Sequence, residues 1–154
     1  MAGLCQECTG CCIVFEVKEV GKAFGEPCQH LGPTAVGGQG CRIYEDRPDA
    51  CKRFVCLWLD SQRRPEVETF PEHMRPDVTK VVLGWPYGLD RETLFVYPYP
   101  GYEDNWKKPP VSLYLQRILQ RGAKVVVVAG RQRIAIKGDM AFVGNEDEFE
   151  DILK

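Results

Sequence analysis

From residue 77 onward the apolar residues come in short runs that define elements. "TKVVLGW" and "ETLFVYPYP" concentrate β-branched and aromatic residues, which predicts two strands with "PYGLDR" as the turn between them. "PPVSLYLQRILQRG" opens on prolines, carries Leu113, Leu115, Ile118 and Leu119, and is followed by Gly122, so it predicts a helix. "AKVVVVAG" and "QRIAIKGD" predict a hairpin turning near Gly130. The acidic tail "NEDEFEDILK" reads as a short amphipathic helix. The expectation for 77–144 is therefore α+β, a small antiparallel sheet with one or two helices.

Residues 1–61 hold no such sustained pattern. In "IVFEVKEVGKAFGEPCQHLG" a short apolar segment runs into Gly21, Gly25 and Pro27, which predicts irregular chain. "GGQG" at 37–40 reads as a turn leading to Cys41. "YEDRPDACKRFVCLWLDS" predicts a single helix, capped by Asp46, with Pro48 early and Ala50, Phe54, Leu57 and Trp58 on one stripe. Three prolines within 62–76 mark a connection. The first third is too poor in apolar mass to stand alone without metal. The chain is thus expected to be one domain over 1–154, with a cysteine-rich metal-binding lobe at 1–61 packed on the sheet.

Composition narrows the partners. With 154 residues and 44% hydrophobic, a core is available without staples. A formal net charge of -2 argues against a nucleic-acid partner, which needs a basic face. The longest aliphatic run, "VVVV" at 125–128, is far short of a membrane span. "MAGLC" shows neither a basic stretch nor an apolar run behind it, so the expectation is a cytoplasmic protein without a membrane partner.

The eight cysteines all lie between Cys5 and Cys56. Disulfides suit small secreted domains with thin cores, so metal ligation is the better expectation here. The first group is Cys5, Cys8, Cys11 and Cys12; the second is Cys28, Cys41, Cys51 and Cys56. All eight are candidate ligands, enough for two four-coordinate sites, each mixing both groups. Thiolates suit zinc or an iron–sulfur cluster. The register of Cys5, Cys8 and Cys11 resembles the opening of a ferredoxin run and favours the cluster, although Pro27 precedes Cys28 where a proline would follow. Adjacent residues on extended chain face opposite ways, so Cys11 and Cys12 are expected to serve different sites. On one helix Cys51 and Cys56 would be about 140° apart. Six Lys/Arg (Lys18, Lys22, Arg42, Arg47, Lys52, Arg53) stand against eight Asp/Glu in 1–61, so ionised thiols would make the region strongly anionic. Arg42, Arg47, Lys52 and Arg53, beside candidate ligands, are expected to offset that charge.

His30 reads as a hydrogen-bonding neighbour of the ligands rather than a ligand, and His73 as a turn residue. The aromatics Trp85, Tyr87, Phe95, Tyr97, Tyr99, Tyr102 and Trp106 have no basic interleaving and are expected to pack a sheet.

"CQECTGCC", "CQHL" and "CRIYEDRPDACKRFVC" together resemble the YkgJ-type cysteine-cluster family, zinc- or iron-chelating proteins with a CxxCxxCC motif. Tyr44, Arg47, Pro48 and Phe54 complete the similarity, which spans Cys5 to Cys56. The resemblance implies a protein that binds metal ions, as zinc or an iron–sulfur cluster, in a structural, regulatory or redox role that could involve a protein partner. Flagellin lysine N-methylases carry a similar cysteine set. They suggest the alternative of a metal-dependent enzyme acting on protein side chains, with no catalytic residue assignable from the sequence.

Overall fold

The structure is a computed structural model that describes residues 10–23, 25–33, 39–63, 69–85 and 92–145. Its centre is a five-stranded sheet. Strands β3 (Val81–Gly84), β4 (Thr93–Pro98), β5 (Lys124–Ala129), β6 (Gln132–Lys137) and β7 (Met140–Asn145) lie side by side in chain order. The two strands before it, β1 (Leu31–Pro33) and β2 (Gln39–Cys41), form a separate antiparallel ribbon. Among the described residues there are five α-helices: α1 (Gly10–Val14), α2 (Asp49–Arg53), α3 (Leu57–Arg63), α4 (Pro76–Thr79) and α5 (Val111–Gln120).

The fold is α+β as expected, but the large sheet is mixed. β3 pairs antiparallel with β4, and β5, β6 and β7 form an antiparallel meander. Between these units β4 runs parallel to β5, Leu94 opposite Val125 and Val96 opposite Val127. A parallel pair needs a crossover, and α5 supplies it. The order strand, helix, strand in "ETLFVYPYP", "PPVSLYLQRILQRG" and "AKVVVVAG" already contains that unit. The hairpin predicted at Gly130 is present, and β7 in "MAFVGN" is a strand that the pattern reading missed. The turn 86–91 and the tail 146–154 fall outside the described residues.

Alternation splits the sheet into two apolar faces. Val81, Leu83, Leu94, Val96, Val125 and Val127 meet Val111, Leu115 and Ile118 of α5, together with Leu57, Phe70 and Met74. Leu113 points outward. On the opposite face Val82 and Tyr99 meet Val14 of α1, with Phe15, Phe54 and Tyr97 alongside. Covering both faces explains why β5 is a continuous run of valines rather than an alternating strand. Among the described residues no helix is long and apolar enough to cross a membrane.

The helix expected across 44–61 is broken. A 3-10 turn at Tyr44–Asp46 precedes α2, Pro48 rather than Asp46 occupies the capping position, and the chain leaves helix at Phe54 with φ -80° and ψ 128°. The reason is packing. Gly84 has no side chain, and the Phe54 ring fills the space so closely that an added Cβ would lie 2.8 Å from its Cε2. Phe54 also meets Phe15 edge-on at 4.4 Å, and Phe15 meets Tyr97 at 4.6 Å. The connection at 62–76 likewise contains structure, a 3-10 turn at Glu72–Met74 and the start of α4, whose first residue is Pro76.

α1 is docked just as tightly. A Cβ on Gly10 would lie 2.8 Å from Tyr99 Oη, 2.9 Å from Val82 Cγ2 and 3.0 Å from Pro76 Cβ. Gly10→Ala gains at most about 1 kcal/mol of helix propensity, whereas overpacking costs typically about 1–3 kcal/mol. The expected outcome is a loss of stability of about 1–2 kcal/mol, read from the urea midpoint. A variant as stable as the parent would contradict this docking.

Candidate metal centre

α1 carries Cys11 and Cys12 at the sheet edge of the N-terminal lobe. The last carbonyls of a helix lack intrahelical partners, and here other segments supply them. The Cys28 N–H donates to the Cys12 carbonyl at 2.9 Å, which ties the second cysteine group to the first. Cys28 leads into β1 and Cys41 closes β2, and the ribbon pairs Leu31 with Cys41. The Arg42 N–H adds a bond to the His30 carbonyl at 2.9 Å. α2 presents Cys51, held in its first turn by a bond to the Pro48 carbonyl at 2.9 Å.

The six described cysteines, Cys11, Cys12, Cys28, Cys41, Cys51 and Cys56, are in the reduced, thiol form; Cys5 and Cys8 lie outside the described residues. Five of the six act on one another electrostatically. The Cys11 thiol pKa is pushed well up, first by its hydrogen bond with Cys12, then by desolvation and repulsion from Cys12. The residue keeps exposed surface, so contact with Cys12 carries more of that shift than burial does. Cys41 is raised by burial first, with repulsion from Cys28 and Cys11 adding to it. Cys51 is raised by burial and then by Cys11, Cys28 and Cys41. Cysteines of both sequence groups therefore lie within electrostatic reach of one another.

Main-chain N–H groups point at several sulfurs. The His30 N–H donates to Cys28 Sγ at 3.5 Å, and the Leu59 N–H donates to Cys56 Sγ at 3.4 Å. The Ile43 N–H donates to the Cys41 thiol and opposes part of the rise that burial causes. Cys28 and Cys41 thus share one local geometry, a thiol accepting from the residue two positions on. Such bonds favour the ionised sulfur.

Two cations adjoin these thiols. Arg47 lowers the thiol pKa of Cys11, Cys41 and Cys51. Its Nε donates to the Tyr44 carbonyl at 2.8 Å and its guanidinium lies 3.8 Å over the Tyr44 ring. Lys22 is only 6% exposed, and its Nζ donates to the carbonyls of Ile13, Phe15 and Ala23. Burial pushes the Lys22 pKa down, and the charges of Cys28, Cys12, Cys11 and Cys51 oppose that.

Several expectations change. Cys11 and Cys12 are not on extended chain: they sit on α1, and their thiols hydrogen-bond to each other. Cys51 and Cys56 do not share a helix, since α2 ends at Arg53. Cys56 instead immediately precedes α3, where its carbonyl accepts the Asp60 N–H at 2.9 Å, and it packs with Val14 and Val82. Of the cations expected near ligands, Arg47 acts on the thiols, while Arg42 Nη2 reaches the Gln29 carbonyl at 3.1 Å. Lys22 had no distinguishing signal beyond its place in the short turn "VGKAFG". His30 meets sulfur through its main chain rather than its ring, and His73 is exposed on its turn.

Among the described residues no group of three or more His, Cys, Asp or Glu side chains is placed to hold a metal ion. The donor types are nevertheless those a soft metal takes: thiols that would repel one another if ionised, with N–H groups aimed at the sulfurs of Cys28 and Cys56. On the far side of the sheet, an open groove of about 380 Å³ lies between Phe70, Met74, Leu113 and Tyr114. Its position on the α5 face separates it from the thiols, so the two do not form one pocket. In comparisons with known proteins, no family model, no curated protein and no solved structure matches the chain.

Raised thiol pKa values set a pH dependence for the metal-free protein. Folded Cys11, Cys41 and Cys51 hold their protons more tightly than the unfolded chain does. Their contribution to stability is full below the unfolded thiol pKa of about 8.5 and is lost as pH rises through the folded values. The urea midpoint of metal-free protein should be flat near neutrality and fall above about pH 9. A midpoint that holds or rises between those conditions and pH 10 contradicts it.

Proposed function

We propose that the chain is a metal-binding protein whose cysteines hold zinc or an iron–sulfur cluster, in a structural, regulatory or redox role, within the cytoplasm. The observation that carries this reading is that thiols from two distant sequence groups lie within electrostatic reach of one another: Cys11 feels Cys12, Cys41 feels Cys28 and Cys11, and Cys51 feels Cys11, Cys28 and Cys41. A divalent metal or a cluster supplies positive charge among them, and ligation displaces the thiol protons. Cys5 and Cys8, in register with Cys11, complete the donor set of eight. The motif's resemblance to the YkgJ-type family supports the same assignment.

Zinc would hold the lobe in shape. An iron–sulfur cluster would add one-electron chemistry, with N–H bonds to the sulfurs tuning its potential. In either case the protein's own part is to gather the thiols, aim the N–H groups of His30, Ile43 and Leu59 at sulfur, and place Arg47 beside them. The enzyme alternative has less support, because the groove on the α5 face is separate from the thiols.

Anaerobic purification with iron, zinc and sulfide analysis and an absorption spectrum tests the reading. The expected result is stoichiometric zinc, or iron with sulfide and visible absorption, and a large loss of either in Cys28→Ser and Cys41→Ser. Protein that takes up none of these metals on reconstitution overturns the proposal.

Metal removal should also act unequally along the chain. In the described part of the first 63 residues the buried hydrophobics are only Val14, Val17, Leu57 and Leu59; all the others lie between Phe70 and Val128. Chelation should open 5–56 to protease while the sheet stays protected. Equal protection of both halves after stripping would show that metal does not hold the lobe.

A further inference from the structure

Lys22 stands out among the charged groups because it is inside the protein. A tight turn puts it there. Val17 and Lys22 exchange both main-chain hydrogen bonds at 3.0 Å around the 3-10 turn Lys18–Val20, and Gly21 closes that turn at φ 65°. The side chain then runs inward, where the carbonyls of Ile13, Phe15 and Ala23 accept from Nζ. Three acceptors match the three donors of an ammonium. They satisfy its hydrogen bonds but not its charge. Among the described residues it has no carboxylate partner. It is held at the end of α1 beside Cys12, since Ile13 directly follows Cys12 and the Cys12 carbonyl accepts the Cys28 N–H at 2.9 Å, and the groups whose charge acts on it most are Cys28, Cys12, Cys11 and Cys51. A buried charge is stable only when it is paired.

We propose that Lys22 is the internal counter-cation of the thiol cluster, a positioning residue whose fixed ammonium balances Cys11, Cys12, Cys28 and Cys51 when a metal ionises them. The inference rests on the metal-binding reading above and adds the sign of the occupied site: thiolates exceed the metal's charge, and Lys22 offsets the excess. The competing role is structural, with Lys22 only tying down the end of α1. A glutamine separates the two, since it keeps hydrogen-bond donors and lacks charge.

The test compares wild type, Lys22→Gln and Lys22→Met, titrating the metal-free full chain anaerobically with cobalt(II). Thiolate-to-cobalt absorption reads occupancy across pH, and circular dichroism reads folding. Removing the counter-cation should weaken cobalt affinity by about 10- to 100-fold, the usual effect of residues supporting metal ligands. It should also move half-occupancy to higher pH in both variants while the sheet stays folded. Wild-type affinity and pH profile in a folded Lys22→Gln or Lys22→Met protein overturns the assignment and leaves the metal reading standing. Failure of both variants to fold assigns Lys22 to structure and overturns it too. Wild type that binds no cobalt overturns both proposals together.

Discussion

A thiol that ionises beside other ionised thiols meets their repulsion, and this sets the terms for the whole N-terminal lobe. Two unit charges 4 Å apart repel by about 4 kcal/mol at the effective dielectric of a protein near its surface. For Cys41 and Cys51 repulsion from other cysteines adds to burial, and for Cys11 it adds to the Cys12 hydrogen bond and burial, so all three hold their protons more tightly. The main chain is arranged for the opposite state. N–H groups of His30, Ile43 and Leu59 are aimed at sulfurs that accept them best when ionised. On the metal-binding reading proposed above, the same segments that tolerate neutral thiols would receive thiolates once a cation brings them together.

The lobe borrows its position from the sheet. Gly10 lets α1 approach Val82 and Tyr99 more closely than any side chain would allow, and Gly84 does the same for the Phe54 ring. Phe15 joins those two contacts by meeting both Phe54 and Tyr97 edge-on. The β3–β4 face thus fixes the chain just after Cys12 and between Cys51 and Cys56. Burial on that face also keeps the Tyr97 hydroxyl protonated, its pKa pushed up to about 12. The opposite face is closed by α5 and contributes nothing to the thiols directly.

Period and punctuation made the second half legible. The proline start and Gly122 stop of α5, the hairpin at Gly130 and the valine run of β5 follow from local chemistry. What escaped is what depends on distant partners. That β4 and β5 run parallel is decided by where α5 returns the chain. The break at Phe54 is decided by an empty space over Gly84, thirty residues further on. At the site, the sequence marked the sulfurs but not their geometry. Helical backbone at Cys11 and Cys12 brings their thiols together, whereas an extended reading sent them apart. Lys22 was legible only as one basic residue among several, because its burial depends on three carbonyls that the fold collects.

The two cations near the thiols differ in kind, and the difference matters for the field they make. Arg47 is half-buried and planar, and it stacks on Tyr44, a setting that suits a delocalised, weakly hydrated guanidinium. Lys22 is a compact charge, and compact charges are strongly hydrated, so burying one requires replacement of its water by oriented acceptors. Ile13, Phe15 and Ala23 provide them through main-chain carbonyls, which no side-chain mutation at those positions removes. Arg47 keeps contact with solvent and is partly screened by salt, whereas Lys22 acts on the sulfurs through protein and is screened much less. A thiol cluster flanked in this way sees one cation that depends on its medium and one that does not.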